Sequence, residues 1–149
     1  MVPLNKEGFL PIGIHDFSLD DIGSLFGRFQ RTESRLTLFR KLVELVDQLK
    51  DFPFVRWVIV DGSFVTEKDE PSDIDLVIVV DGSIFTREGL LNPFEYNAVS
   101  SRRLRKRYSF DVFVVPEGSA AYDQYVTHFS RVKEGNSDSR KGMVRLRLQ

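Results

Sequence analysis

The chain has 149 residues, a formal net charge of −1 and no cysteine. This length predicts one domain over residues 1–149, and the near-zero charge gives no global reason to bind nucleic acid or an anionic membrane. The lack of cysteine excludes disulfides, a zinc ribbon and thiol catalysis. The apolar runs are too short to span a bilayer and no signal pattern is visible, so we expect a cytoplasmic protein without a membrane partner.

The N-terminal third of the chain predicts an irregular arm and two helices. Residues 1–17 contain two prolines and two glycines, which favour irregular structure. Ser18 followed by Asp21 is typical of a helix start in which the acid reaches back to the cap. A longer helix is predicted from residue 33 to residue 50, because apolar residues recur there at helical spacing.

Four later runs predict strands. Three are mostly apolar, as in strands covered on both faces: residues 55–60, 76–80 and 108–115. Residues 143–148 alternate apolar and basic side chains, which predicts a half-exposed edge strand that could pair with a second chain. Helices are predicted for residues 86–107, with a break near Asn92-Pro93, and for residues 119–132. Helices alternating with strands favour a sheet with helices packed on it.

The segment from Asp61 to Val80 carries the strongest functional pattern. Gly62-Ser63 follows an apolar strand and can expose backbone N–H groups to a phosphate. Asp73 and Asp75 open the next strand, and residues two apart on a strand face the same side. Neighbouring carboxylates repel each other unless a cation or a proton intervenes. Chemistry on a metal-bound nucleoside triphosphate requires both a turn that binds phosphate and carboxylates that hold a cation. The alternative interpretation of this segment is a turn with solvated acids.

A third acid, Asp111, lies within the apolar run 110–115. Its neighbours predict a buried strand, in which an isolated carboxylate would be costly. The alternative is an acid that points outward from an edge strand. We favour the first interpretation, in which Asp111 faces the same side as Asp73 and Asp75 at one end of the sheet.

This pattern resembles the nucleotidyltransferase superfamily with a DNA polymerase beta-like core, over about residues 55–115. The opening residues 8–15 and Lys141-Gly142 look like a group of small bacterial proteins that carry this core. The resemblance implies an α/β (α+β) nucleotidyltransferase fold, a short mixed sheet with helices mainly on one face. It implies Mg²⁺, or alternatively Mn²⁺, held by Asp73, Asp75 and Asp111. Gly62 and Ser63 would bind a phosphate of the NTP, with ATP as the default donor.

Other residues keep two interpretations. Thr66 and Lys68 lie between the turn and the acids, and with Lys141 they are candidate nucleotide-binding residues. Lys68 either neutralises triphosphate charge or is a solvated loop lysine. Lys141 keeps the same two interpretations as Lys68. Asp61 either caps the turn or crowds the site. A dense basic run is either a solvated helix face or a contact for RNA; its cations are Arg102, Arg103, Arg105, Lys106 and Arg107.

These observations lead to a functional hypothesis. The protein would transfer a nucleoside monophosphate from an NTP to a hydroxyl of a protein or RNA acceptor, with Asp111 helping to deprotonate that hydroxyl. The resemblance extends to short members of toxin–antitoxin and defence systems. The alternative is a non-catalytic module that binds a nucleotide or a partner on the same fold. No feature of the sequence sets the oligomeric state.

Overall fold

A five-stranded mixed sheet organises the chain. The structure, a computed structural model, describes residues 4, 8–27, 33–66, 71, 74–86, 91–130 and 141–148. The strands are β1 (Ile14–Asp16), β2 (Val55–Asp61), β3 (Asp75–Val80), β4 (Asp111–Pro116) and β5 (Met143–Arg147). Their order across the sheet is β1-β5-β2-β3-β4. β2 is antiparallel to β3 and β5, whereas β1–β5 and β3–β4 are parallel pairs.

Six α-helices lie in the described residues. They are α1 (Leu19–Ile22), α2 (Ser34–Leu49), α3 (Ser83–Thr86), α4 (Pro93–Ala98), α5 (Ser101–Tyr108) and α6 (Ala120–Phe129). A π-helical turn, Gly23–Gly27, continues α1, and a 3₁₀ turn, Ser63–Val65, follows β2. None of the helices in this described part has the length and apolarity needed to cross a membrane.

The predicted starts of α1, α2 and α6 agree with the structure to within one residue, whereas the helix start predicted at Thr86 was wrong, because Thr86 ends α3. The Ser18 hydroxyl accepts from the Asp21 N–H, and the Asp21 carboxylate accepts from the Ser18 N–H, both at 3.1 Å. This capping box confirms the predicted start of α1. The break predicted near Asn92-Pro93 is the start of α4, where Asn92 is the cap and Pro93 the first helical residue.

The two faces of the sheet bury different cores. All six residues of β3 are buried, as a continuous apolar run predicts. Leu76, Ile78 and Val80 enter the main core, together with side chains of α1, α2 and α5. Val77 and Val79 face the other way and enter a second core that contains Phe129 of α6. One face is therefore covered by several helices and the opposite face by α6.

The prediction that residues 143–148 form an edge strand was wrong, because β5 lies between β1 and β2. The alternation reflects the two faces of an interior strand. Val144 and Leu146 enter the main core. Arg145 and Arg147 lie over the Trp57 ring on the opposite face, at 5.7 and 5.8 Å from its centre. The expected pairing of this strand with a second chain thus loses its structural basis.

The prediction of an irregular arm over residues 1–17 was wrong where β1 forms. Ile14–Asp16 pairs in parallel with Met143–Arg145 and covers the outer side of β5. A strand of three residues is too short for its periodicity to be recognised in the sequence. The sheet edges are therefore β1 and β4.

Gly142 joins this arm to the start of β5. Its N–H donates to the Leu10 carbonyl at 2.9 Å, and the next N–H, of Met143, donates to the Gly13 carbonyl at 2.9 Å. A Cβ at position 142 would lie 1.9 Å from the Pro11 carbonyl oxygen. The glycine is thus required by close contact with the chain's own backbone. This contact also fixes the position of the preceding residue, Lys141.

Candidate functional site

Three aspartates lie side by side at one end of the sheet, and we call them the carboxylate row: Asp61, Asp75 and Asp111. Asp61 is the last residue of β2, and Asp75 and Asp111 are the first residues of β3 and β4. Asp75 is in register with Asp61 on one side and with Asp111 on the other. Neighbouring strands lie about 4.8 Å apart. The structure therefore places Asp111 next to Asp75, as the sequence predicts.

The carboxylate row lies on the face that α6 covers. Ile59 and Val77, two residues from Asp61 and Asp75, both belong to the second core. Phe113, two residues after Asp111, packs against the same core. Because side chains two apart on a strand share a face, the three aspartates point to the side of α6 and not into the main core.

The members of the carboxylate row differ in burial. Asp61 and Asp75 are buried, at 2% and 5% exposure, whereas Asp111 is exposed. The prediction of a buried Asp111 was wrong, because this residue begins the edge strand β4 although its neighbours in sequence are apolar. Burial of an isolated charge is therefore no argument for a ligand at Asp111, and its assignment depends on its place beside Asp75.

Lys141 and Asp61 form a buried ion pair within this site. The Lys141 ammonium donates to Oδ1 of Asp61, and the two side chains are 11% and 3% exposed. The Lys141 N–H donates to the Ser130 carbonyl at 2.8 Å, which ties the residue to the end of α6. Lys141 was predicted to bind nucleotide and Asp61 was unassigned, so the structure gives each a partner that the sequence does not indicate.

The Gly62-Ser63 turn follows directly on the carboxylate row. Gly62 has φ 90° and ψ −175°, a conformation open essentially to glycine alone. The Thr66 hydroxyl donates to the Ser63 carbonyl at 2.6 Å. Thr66 was predicted to bind nucleotide, and its hydroxyl here shapes the turn. The turn is thus a defined structure beside Asp61 and Asp75.

Arg35 is a residue of this site that the sequence interpretation missed. It lies in α2, is fully buried, and donates to main-chain carbonyls next to the Gly62-Ser63 turn. A signal for it exists, because Arg35 lies seven residues before Leu42, a buried residue of the same helix. That spacing corresponds to about two helical turns, which puts both residues on one face.

Two predicted site residues, Asp73 and Lys68, lie outside the described residues. Within the described ranges, no group of three or more His, Cys, Asp or Glu side chains is placed to hold a metal ion. The predicted ligand set includes Asp73, so it stays a prediction. Asp75 and Asp111 bring carboxylate oxygens to the same face of adjacent strands, and these are the donors that Mg²⁺ takes.

Comparison with known proteins assigns the chain to a family. A model described as "Family of unknown function (DUF6932)" matches residues 2–147. The chain belongs to the DUF6932 family. No curated protein and no solved structure matches it. The DUF6932 match includes the arm, the carboxylate row, the Gly62-Ser63 turn and Lys141.

In this DUF6932 chain the basic run forms α5, and its cations divide into two groups. Arg105 Nε donates to the Val112 carbonyl of edge strand β4 at 3.1 Å, and Arg107 pairs with Glu44 at 2.8 Å. Each residue of a helix turns by about 100°, so the other cations lie opposite the buried Leu104 and Tyr108. We call these the outer cations of α5, and all are exposed: Arg102, Arg103 and Lys106.

Proposed function

We propose that the protein is a metal-dependent nucleotidyltransferase that transfers a nucleoside monophosphate from an NTP to a hydroxyl of a protein or RNA acceptor. One observation carries the proposal: Asp75 and Asp111 are register partners beside the Gly62-Ser63 turn. The mixed sheet with most of its helices on one face is consistent with the nucleotidyltransferase fold, which is part of the proposal.

Each residue has a role in this mechanism. Asp75 and Asp111, with Asp73, would hold Mg²⁺ or Mn²⁺, which would neutralise triphosphate charge and activate the attacking hydroxyl. Gly62 and Ser63 would present main-chain N–H groups to a phosphate. The bond from the acceptor oxygen to the α-phosphorus forms as the bond to pyrophosphate breaks. The hydroxyl proton passes to Asp111, whose exposure at the edge of the sheet leaves it open to an acceptor.

Lys141 has a role that differs from the direct phosphate contact expected from the sequence. Its ammonium is bound to Asp61, at the end of the carboxylate row. Adjacent carboxylates repel, and an ammonium beside them lowers that repulsion. Lys141 therefore allows Asp61 and Asp75 to lie in register while both are buried.

The donor, the acceptor and the setting belong to the same proposal. ATP is the default donor through the resemblance to nucleotidyltransferases. The outer cations of α5 could contact an RNA acceptor, since they are exposed and their helix leads directly to the strand that Asp111 begins. A cytoplasmic location and a role in a toxin–antitoxin or defence system complete the hypothesis.

Ligand-dependent melting tests the proposal. Millimolar Mn²⁺ with a non-hydrolysable NTP should stabilise the wild-type protein by about 2.7 kcal/mol at a hundredfold excess over Kd. That corresponds to roughly 5–11 °C in Tm for a domain of this size. Asp75→Asn should lose the response. Asp47→Asn, which changes an exposed aspartate of α2, is the matched control and should keep it. Wild-type protein with no shift would contradict the proposal.

A further inference from the structure

A buried arginine connects α2 to the loop that contains the Gly62-Ser63 turn. Arg35 donates through one terminal nitrogen to the Phe26 carbonyl at 3.2 Å and to the Phe64 carbonyl at 2.7 Å. The other terminal nitrogen donates to the Thr66 carbonyl at 2.6 Å. One side chain thus joins α2, the π-helical turn and the loop after β2.

Burying the charge of Arg35 is costly, so the hydrogen-bond geometry of its guanidinium is expected to depend on an arginine at this position. An arginine cannot lose its proton in a protein, so a fully buried guanidinium requires hydrogen-bond acceptors or an opposite charge around it. Its planar fork can reach several carbonyls at once, which a lysine ammonium on a flexible stem cannot reproduce. The guanidinium also lies 5.8 Å from the centre of the Phe64 ring.

The bonds of Arg35 continue into the turn itself. Thr66, whose carbonyl accepts from Arg35, donates its hydroxyl to the Ser63 carbonyl at 2.6 Å. Phe64 is fully buried, and its ring lies 6.1 Å from that of Phe26. The residues on the C-terminal side of Ser63 are therefore anchored in the main core. On the N-terminal side, Asp61 is held by the sheet.

We propose that Arg35 is a positioning residue, which keeps the Gly62-Ser63 turn in its phosphate-accepting conformation before any nucleotide binds. The identity of the ligand rests on the proposed function, whereas the anchoring does not. Loss of the anchor should weaken the NTP complex and raise KM for the NTP. It should change kcat much less, because strands β3 and β4 hold Asp75 and Asp111 independently.

Hydrogen–deuterium exchange with nucleotide titration tests both parts. Arg35→Lys keeps the charge but not the fork, so the amides of residues 62–66 should exchange at least about tenfold faster. A non-hydrolysable ATP analogue with Mg²⁺ should bind at least about tenfold more weakly. Any shift of Tm that Mn²⁺ alone causes should be the same as in the wild-type protein. Arg40→Lys, an exposed arginine of the same helix, is the matched control and should behave as wild type.

A second variant serves if Arg35→Lys folds poorly. Thr66→Val removes the bond to the Ser63 carbonyl and leaves the buried charge in place, so faster exchange is expected around residue 63. Unchanged exchange in residues 62–66 would overturn the anchoring. Faster exchange with unchanged affinity for the analogue and unchanged KM would show a merely structural role and overturn the positioning. Wild-type protein that binds no analogue would refute the proposed function, while the exchange data would still decide the anchoring.

Discussion

The ion pair between Lys141 and Asp61 allows a quantitative prediction about stability. Lys141→Met keeps most of the apolar stem of the side chain and removes the ammonium. The Asp61 carboxylate, whose side chain is 3% exposed, then stays in the protein interior without that cation. Removing one member of a buried ion pair costs about 3–5 kcal/mol, because the remaining buried charge loses its ion-pair partner.

The magnitude can be converted into melting temperature. For a domain of this size each kcal/mol corresponds to about 2–4 °C, so Lys141→Met should lower Tm by roughly 6–20 °C. Asp61→Asn should be destabilising in the same way, since it leaves the ammonium buried. The double variant should be less destabilised than the sum of the two, by at least about 1 kcal/mol, because the two residues contact each other.

Urea unfolding of the four proteins in this double-mutant cycle provides the assay. Lys106→Met, which changes an exposed lysine of α5, is the control and should stay within about 0.5 kcal/mol of wild type. A Lys141→Met protein as stable as this control would refute the reasoning. Strict additivity of Lys141→Met and Asp61→Asn would refute it as well, since independent residues have no coupling energy.

Three further predictions concern Gly142, Asp16 and the outer cations of α5. Gly142→Ala should cost about 1–3 kcal/mol in urea unfolding, because its Cβ would overlap the Pro11 carbonyl, and an unchanged midpoint would contradict this. The hydrogen bond from Arg145 lowers the pKa of Asp16 below 3.8. The stability from this pair is therefore present above about pH 4 and lost as pH falls through the lowered pKa, and unfolding from pH 6 to about pH 2 should depend less on pH in Asp16→Asn. Serine in place of the outer cations of α5 should weaken RNA binding and reduce its salt slope by roughly 2; equal RNA affinity would indicate a solvated surface.

The elements predicted best from the sequence are those with a long local signal. β2, β3 and α2 were predicted within one or two residues, since continuous apolar runs and helical spacing extend over six or more positions. The start of α1 was predicted from Ser18 and Asp21 because a capping box is a contact within one turn. Such signals are independent of the rest of the chain.

The errors concern relations between elements. Alternation along residues 143–148 shows that the two faces of β5 differ, which is true of an interior strand as well as of an edge strand. Apolar neighbours of Asp111 predict a buried strand, but the exposure of its first residue depends on where β4 lies in the sheet. Position in the sheet is set by long-range pairing, which no local pattern reports.

The same difference between local signals and long-range contacts explains why only part of the candidate site was predicted. The Gly62-Ser63 turn and the neighbouring placement of Asp75 and Asp111 follow from motif spacing and strand register. The partner of Lys141 lies 80 residues away in sequence, and nothing near either residue indicates the pair. Arg35 is a charge on an apolar helical face, a signal that becomes interpretable once the loop it contacts is known.

Nucleotide transfer itself is the most direct test of the carboxylate row. Wild-type protein incubated with Mg²⁺, each NTP labelled at the α-phosphate, and cellular RNA or protein should release pyrophosphate and label an acceptor. Asp111→Asn should fold normally, because the residue is exposed, and its transfer rate should fall at least about a hundredfold. Asp123→Asn, an exposed aspartate of α6, should transfer at the wild-type rate. Transfer by Asp111→Asn at the wild-type rate, or no transfer by the wild-type protein with any NTP, would contradict the account.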